Sequence, residues 1–166
     1  LPTCGITGNV EIRAVDTCEV RDVCLSTTLK ADEARIDATV EFEYNTLLDS
    51  THGNFSIILT DEAGNHFCAE RRDVFLSAGI NYIDLNLTIA EPKLWWPNGS
   101  GKQHLYTVHV QAEADGRTVS PEPFRYGVRT VELDAAPGVF RFLINGVALF
   151  MTGGNWIPPD LLFGRI

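Results

Sequence analysis

The residues best suited to contact a ligand lie in a loop that reads Gly153-Gly154-Asn155-Trp156. Two glycines permit strained backbone and close approach, so they leave Asn155 and Trp156 projecting from the end of a predicted strand. The Asn amide can donate a hydrogen bond to a hydroxyl and accept one from it, and the indole can stack on a flat apolar surface. The pattern predicts a ligand contact at Asn155 and Trp156; the alternative is a buried Trp in an ordinary loop.

A second candidate contact is the pair Trp95 and Trp96, which lies between Pro92 and Pro97. One interpretation is a platform on which the C–H face of a sugar ring stacks. The other is an anchor that closes one end of a β-sandwich, since prolines restrict the loop and a Trp buries a large area. We favour the anchor because predicted strands flank the segment on both sides.

Acidic residues are numerous, but no pair is placed for catalysis. They fall in predicted turns or on the wet faces of strands, as do Asp32/Glu33, Asp61/Glu62 and Glu132/Asp134. No serine-hydrolase elbow, phosphate loop or dinucleotide-binding motif occurs. We therefore expect no complete active site and no cofactor.

The cysteines also lack a metal-binding pattern. They are Cys4, Cys18, Cys24 and Cys68, with no Cys-x-x-Cys pair and no histidine at ligand spacing. We expect no metal site, and most such cysteines serve as small core residues. A disulfide such as Cys4–Cys18 stays open for an exported protein, because spacing alone cannot assign it.

Composition narrows the class of protein. The 166 residues are 45% hydrophobic and carry a formal net charge of −9, which indicates a folded chain of about one domain. The negative charge argues against nucleic acid or an anionic membrane as a partner. No apolar run reaches the length of a membrane span.

Alternating apolar residues predict strands and almost no helix. Residues 34–44 show the clearest alternation, with one buried and one solvated face, as in antiparallel sheets. Further strands are predicted at 9–15, 20–29, 55–59, 66–70, 83–89, 106–112, 117–120 and within 124–133. Seven to nine short antiparallel strands at this spacing predict an all-β fold, an immunoglobulin-like β-sandwich.

A β-hairpin follows the predicted sandwich. Asn145-Gly146 separates two alternating runs, and this dipeptide is the strongest short-range signal for a type I′ turn. After the hairpin, residues 161–166 form an apolar stretch with no cap, breaker or polar tail. We therefore expect the chain to be a piece of a longer protein.

The order and spacing of several motifs resemble glycoside hydrolase family 2, in particular its β-mannosidase and exo-β-glucosaminidase members. The motifs are GI at 5–6, VEI at 10–12, LWWPNG at 94–99, QHLY at 103–106, YGVRTVEL at 126–133, FLING at 142–146 and GGNWIP at 153–158. Each motif alone is weak, but together they cover nearly the whole chain.

The resemblance implies three segments. Residues 1–14 would end a preceding sugar-binding domain or form a linker strand, 15–134 would form the immunoglobulin-like sandwich, and 135–166 would hold the hairpin and the start of a truncated TIM-barrel catalytic domain. It makes residues 126–133 the last sandwich strands. Asn155 and Trp156 would line the sugar subsite of the parent enzyme, and Trp95 and Trp96 would be structural.

The resemblance also implies what this chain cannot do alone. The family uses an Asn-Glu acid/base and a second Glu as nucleophile on later barrel strands, and the sequence has no Asn-Glu dipeptide. The residue after Gly5-Ile6 is Thr7, where the family usually has Trp or Tyr. We expect a non-catalytic scaffold of a retaining exo-β-glycosidase that acts on a β-mannoside, β-glucosaminide or β-galactoside.

Two other functions stay open. One is a stand-alone carbohydrate-binding module that uses Trp95, Trp96 and Trp156. The other is an extracellular adhesion domain, for which only the fold argues. We expect the parent protein to be exported to the periplasm or the extracellular space, with the cytoplasm as the alternative, and its partners to be the neighbouring domains and a carbohydrate.

Overall fold

The computed structural model describes residues 9–12, 14, 17–46, 50–155 and 157. Every regular element in this part of the chain is a β-strand. The strands are β1 (Cys18–Lys30), β2 (Glu33–Tyr44), β3 (Ser50–Thr60), β4 (His66–Ser77), β5 (Gly79–Ala90), β6 (Tyr106–Ala114), β7 (Arg117–Val119), β8 (Phe124–Tyr126), β9 (Val131–Asp134), β10 (Arg141–Ile144) and β11 (Val147–Leu149).

These strands form three antiparallel sheets. One sheet has the order β1-β2-β5, and the facing sheet has the order β4-β3-β6-β7 with β8 also paired to β6. The third sheet has the order β11-β10-β9 and contains the predicted hairpin. The first two sheets form the sandwich, so the predicted all-β, immunoglobulin-like architecture with seven to nine antiparallel strands and a C-terminal hairpin is confirmed.

The core lies between the inner faces of the two larger sheets. Alternate residues of β2, β3, β5 and β6 are buried, while their neighbours are more exposed. Phe42 of one sheet meets Phe55 of the other edge to face, with ring centroids 5.1 Å apart. This geometry is favourable for aromatic quadrupoles and ties the two sheets together at the centre.

A β-bulge explains how β1 keeps its apolar side chains on one face. The register with β2 shifts between Val20 and Asp22, so the alternation changes parity there. Cys18 and Val20 precede the shift and are buried, and Val23 follows it and packs against the same core. Without the bulge, Val20 and Val23 would point to opposite faces.

Several strands extend beyond the sequence prediction. β4 runs to Ser77 rather than to residue 70, because pairing with β3 overrides the polar run Arg71-Arg72-Asp73. A second bulge, opposite Asn54, absorbs one extra residue of β4, and Asp73 adopts a positive φ of 55°. Long-range pairing of this kind cannot be read from local alternation.

Two expectations were wrong. The strand predicted at 9–15 is not formed in its described part: residues 9–12 and 14 are unpaired, and Val10 and Ile12 are exposed. Residues 131–133 are not the last sandwich strand either, since β9 pairs with β10 of the hairpin. The predicted domain limit at 134 stays a prediction, but hydrogen-bonded strands lie on both sides of it.

Candidate functional site

The Trp95-Trp96 segment lies where the sandwich meets the small third sheet. The Trp95 N–H donates to the Val128 carbonyl at 2.9 Å, and the Trp96 N–H donates to the Lys102 carbonyl at 3.0 Å. Trp95 also forms an isolated β-bridge with Gln103. The backbone of this loop is thus paired on both sides, which holds both indoles in place.

Each indole packs against the backbone of a glycine. A Cβ at Gly127 would lie 2.7 Å from Cγ of Trp95, and a Cβ at Gly101 would lie 2.8 Å from Cγ of Trp96. Any larger residue would therefore displace a tryptophan ring at either position. Glycine is required here by close approach of backbone to indole.

Asn145, at the tip of the hairpin, joins the hairpin to this loop. Its φ is +52°, and Gly146 follows with +77°, so the type I′ turn is confirmed. Its Nδ2 donates to the Trp95 carbonyl at 3.1 Å, and its Oδ1 accepts from the Thr130 N–H at 3.0 Å. Its own N–H donates to the Thr130 carbonyl. One side chain therefore connects three backbone segments.

Arg129 covers Trp95. Its guanidinium carbon lies 4.8 Å from the centroid of the indole, within the range of a cation–π contact. Nη1 of the same group donates to the Gly127 carbonyl at 2.8 Å. Gly127 and Arg129 thus both pack against the half-buried Trp95 indole.

An open cleft of about 680 Å³ lies between β1 and the start of the third sheet. Its walls are residues 25–29 of β1, Tyr126, Arg129–Glu132 and the turn at Asn145-Gly146. The hydroxyls of Thr27 and Tyr126 form a hydrogen bond of 2.7 Å, and burial raises the pKa of the Tyr126 phenol. Trp95, Trp96 and Asn155 do not line this cleft.

Two carboxylates, Asp61 and Asp115, accept several hydrogen bonds in turns. Asp115 accepts hydrogen bonds from the hydroxyls of Thr51 and Tyr44, and these bonds lower the pKa of its carboxyl. Asp61 accepts from the side chain and backbone of Asn65 and from Lys93, which also lowers its pKa. Both groups stay ionised to fix loop geometry.

The predicted ligand contacts are placed separately. Trp95 and Trp96 are half-buried in the loop described above, and Asn155 is exposed in an unpaired stretch that follows β11. Trp156 lies outside the described residues. Arg129 and Asn145 were not recognised as partners of Trp95 from sequence, although the Asn145-Gly146 turn signal marked one of the positions.

The described residues contain no group of three His, Cys, Asp or Glu side chains that could hold a metal ion. The thiols of Cys18, Cys24 and Cys68 are free, and Cys4 lies outside the description. Among residues whose placement is described, no helix is long and apolar enough to cross a membrane.

Comparison with known proteins gives the family. The model of glycosyl hydrolases family 2 matches residues 18–129, which span the first eight strands and the Trp95 junction. The chain belongs to this family. We interpret the junction of sandwich and hairpin in the context of this family.

Curated relatives of this family 2 chain are much longer. β-Mannosidase B of Aspergillus terreus is 31% identical over 170 residues, which cover all of this chain and 19% of the relative. β-Mannosidase B of Emericella nidulans is also 31% identical and has 20% of its length covered. The chain thus spans about a fifth of the relatives it matches.

Solved structures agree with the fold. β-D-Mannosidase from Dictyoglomus thermophilum is 26% identical and superposes with a TM-score of 0.74, covering 93% of this chain and 19% of that one. The exo-chitosanase of Amycolatopsis orientalis, at 22% identity and a TM-score of 0.66, covers 86% of this chain and 16% of its own and shows the shared fold alone.

Proposed function

We propose that this chain is a non-catalytic scaffolding domain of a longer, retaining exo-β-glycosidase that hydrolyses terminal β-mannosides. The observation that carries the proposal is the hydrogen bond from Asn145 to the Trp95 carbonyl, which joins the hairpin to the sandwich. A domain that positions a neighbouring domain needs a contact of this kind at the junction. The names of the two fungal relatives support the mannoside over a glucosaminide or galactoside.

Retaining hydrolysis requires two carboxyl groups about 5–5.5 Å apart, one as nucleophile and one as acid and then base. The hydrogen bonds that Asp61 and Asp115 accept in turns lower the pKa of each carboxyl, which disfavours a role as proton donor. The catalytic pair is expected in another domain of the longer polypeptide.

The test compares the 166-residue chain with the full-length gene product on 4-nitrophenyl β-mannoside, β-glucosaminide and β-galactoside. We expect no hydrolysis by the chain, and hydrolysis of the mannoside with retained anomeric configuration by the full-length protein. Turnover by the chain alone would overturn the scaffold, and a full-length protein inactive on all three would overturn the glycosidase.

The binding-module alternative is tested by titrating the chain with mannose-, glucosamine- and galactose-containing oligosaccharides. Packing of Gly127 and Arg129 against Trp95 favours no binding. Saturable binding that is lost in Trp95→Ala, with the fold retained by circular dichroism, would replace the scaffold with a carbohydrate-binding module.

A further inference from the structure

The third sheet has one face made wholly of apolar side chains. In the paired register, Leu133, Phe142 and Leu149 lie opposite one another, and so do Val131, Ile144 and Val147. Side chains two residues apart point to the same side of a strand, so both rows share one face. We call these six residues the apolar face. The charged residues of the strands, Glu132, Asp134 and Arg141, lie on the opposite side.

Much of the apolar face is uncovered. Val131 is 56% exposed, Leu133 50% and Val147 49%, while Ile144 of the central strand is buried. Phe140 extends the surface, since this residue is 74% exposed and its ring meets that of Phe142 edge to face, with centroids 5.9 Å apart. Exposed apolar surface that is continuous, rather than scattered, marks a contact site.

A sheet of this size gains stability when its apolar face is covered. Its strands have only three or four residues each, and small sheets gain stability by packing one face against another element. The hydrogen bond of Asn145 fixes one end of the sheet to the sandwich but leaves Val131, Leu133 and Val147 of the apolar face exposed.

We propose that the apolar face is the contact surface for an apolar element of another domain of the same longer polypeptide. The inference rests on the proposed function, and three observations support this occupant. The relatives are about five times as long as the chain, so other domains accompany it there. The net charge of −9 opposes docking of a second copy. Val131 also lines the cleft beside β1, so the surface continues onto the sandwich.

The test uses two lysine substitutions on adjacent residues of β11. Val147→Lys places a charge on the apolar face, and Ala148→Lys places one on the opposite face. In the 166-residue chain both positions are exposed, so both variants should melt within about 2 °C of the parent. In the full-length gene product, Val147→Lys should lower the melting temperature by about 5 °C or more, because it buries a charge, and Ala148→Lys should not.

Amide hydrogen exchange supplies a second readout. Amides of β10 should exchange at least about tenfold more slowly in the full-length protein than in the chain, while those of β2 are unchanged in both. Equal exchange of β10, or equal effects of Val147→Lys in both proteins, would overturn the proposal. So would a dimer of the chain, found by sedimentation and abolished by Val147→Lys, since the occupant would then be a second copy.

These outcomes are independent of glycosidase activity. Suppose that the full-length protein hydrolyses no β-glycoside, and that Val147→Lys destabilises it but not the 166-residue chain. This result would retain the docking surface and remove the proposed function. A full-length protein that hydrolyses a β-glycoside, but whose melting temperature does not change with Val147→Lys, would retain the proposed function and remove the docking surface.

Discussion

The Nδ2 atom of Asn145 donates a hydrogen bond of 3.1 Å to the main-chain carbonyl of Trp95, a residue fifty positions earlier. The Oδ1 atom of the same side chain accepts from the Thr130 N–H at 3.0 Å. A hairpin turn and a proline-flanked loop are thereby held together. This contact fixes where the third sheet lies relative to the sandwich.

The first prediction tests this tie with Asn145→Gly. Glycine adopts the positive φ of the turn but removes both side-chain hydrogen bonds, so the free energy of unfolding should fall by about 1–3 kcal/mol. The Thr130 amide should exchange faster, as measured by NMR.

Asn145→Asp is the matched control. It keeps the oxygen that accepts from Thr130 and loses the donor to Trp95, so Thr130 should stay protected while stability falls. A Thr130 amide that exchanges at the parent rate in Asn145→Gly would show that the tie is unimportant.

The second prediction concerns Gly127, whose backbone lies against Trp95. Gly127→Ala places a methyl group 2.7 Å from Cγ of Trp95 and should destabilise the chain by about 1–3 kcal/mol in urea unfolding, the usual cost of overpacking. Gly153→Ala is the control, because nothing lies within 4 Å of its added Cβ. Equal stability of the two variants would mean that the Trp95 indole moves to accommodate the added methyl group at no cost in free energy.

The third prediction concerns the hydrogen bond between the hydroxyls of Thr27 and Tyr126, which links the two sheets beside the cleft. A double-mutant cycle with Thr27→Val and Tyr126→Phe should give a coupling energy of about 0.5–1.5 kcal/mol. Each single variant leaves one half-buried hydroxyl without its partner, so the double variant should be more stable than additivity predicts. A coupling energy near zero would contradict this.

The fourth prediction concerns acid stability at Asp115. Hydrogen bonds from Thr51 and Tyr44 lower the pKa of its carboxyl in the folded state. Its stabilising contribution is therefore present above the unfolded pKa of about 3.9 and is lost as the pH falls through the lower folded value. The stability advantage of the parent over Asp115→Asn should be constant from pH 7 to 5 and should shrink below about pH 4.

Tyr44→Phe provides the comparison for that series. It removes one of the two donors, which brings the Asp115 pKa closer to its usual value, so the loss with acid should be smaller than in the parent. Urea midpoints at pH 7, 5, 4 and 3 measure both effects. An advantage over Asp115→Asn that persists unchanged at pH 3 would refute the assignment.

The fold class was predictable because one physical rule dominates it. In β2, every second residue from Ala34 to Tyr44 is buried, as the alternation predicts, because a strand with one face on the core and the other toward solvent must separate apolar from polar side chains. The turn at Asn145-Gly146 was predictable for the same local reason, since few residues tolerate two positive φ angles in succession.

The sequence by itself determined the sandwich, the hairpin turn and the absence of a local catalytic motif. Only the tertiary structure decided that Gly127 and Arg129 pack against Trp95, that Asn145 ties the hairpin to it, and that β9 joins the hairpin's sheet. Local periodicity reports which face of a strand is apolar. It carries no information on which distant backbone supplies the partner, because that choice depends on packing between segments fifty or more residues apart.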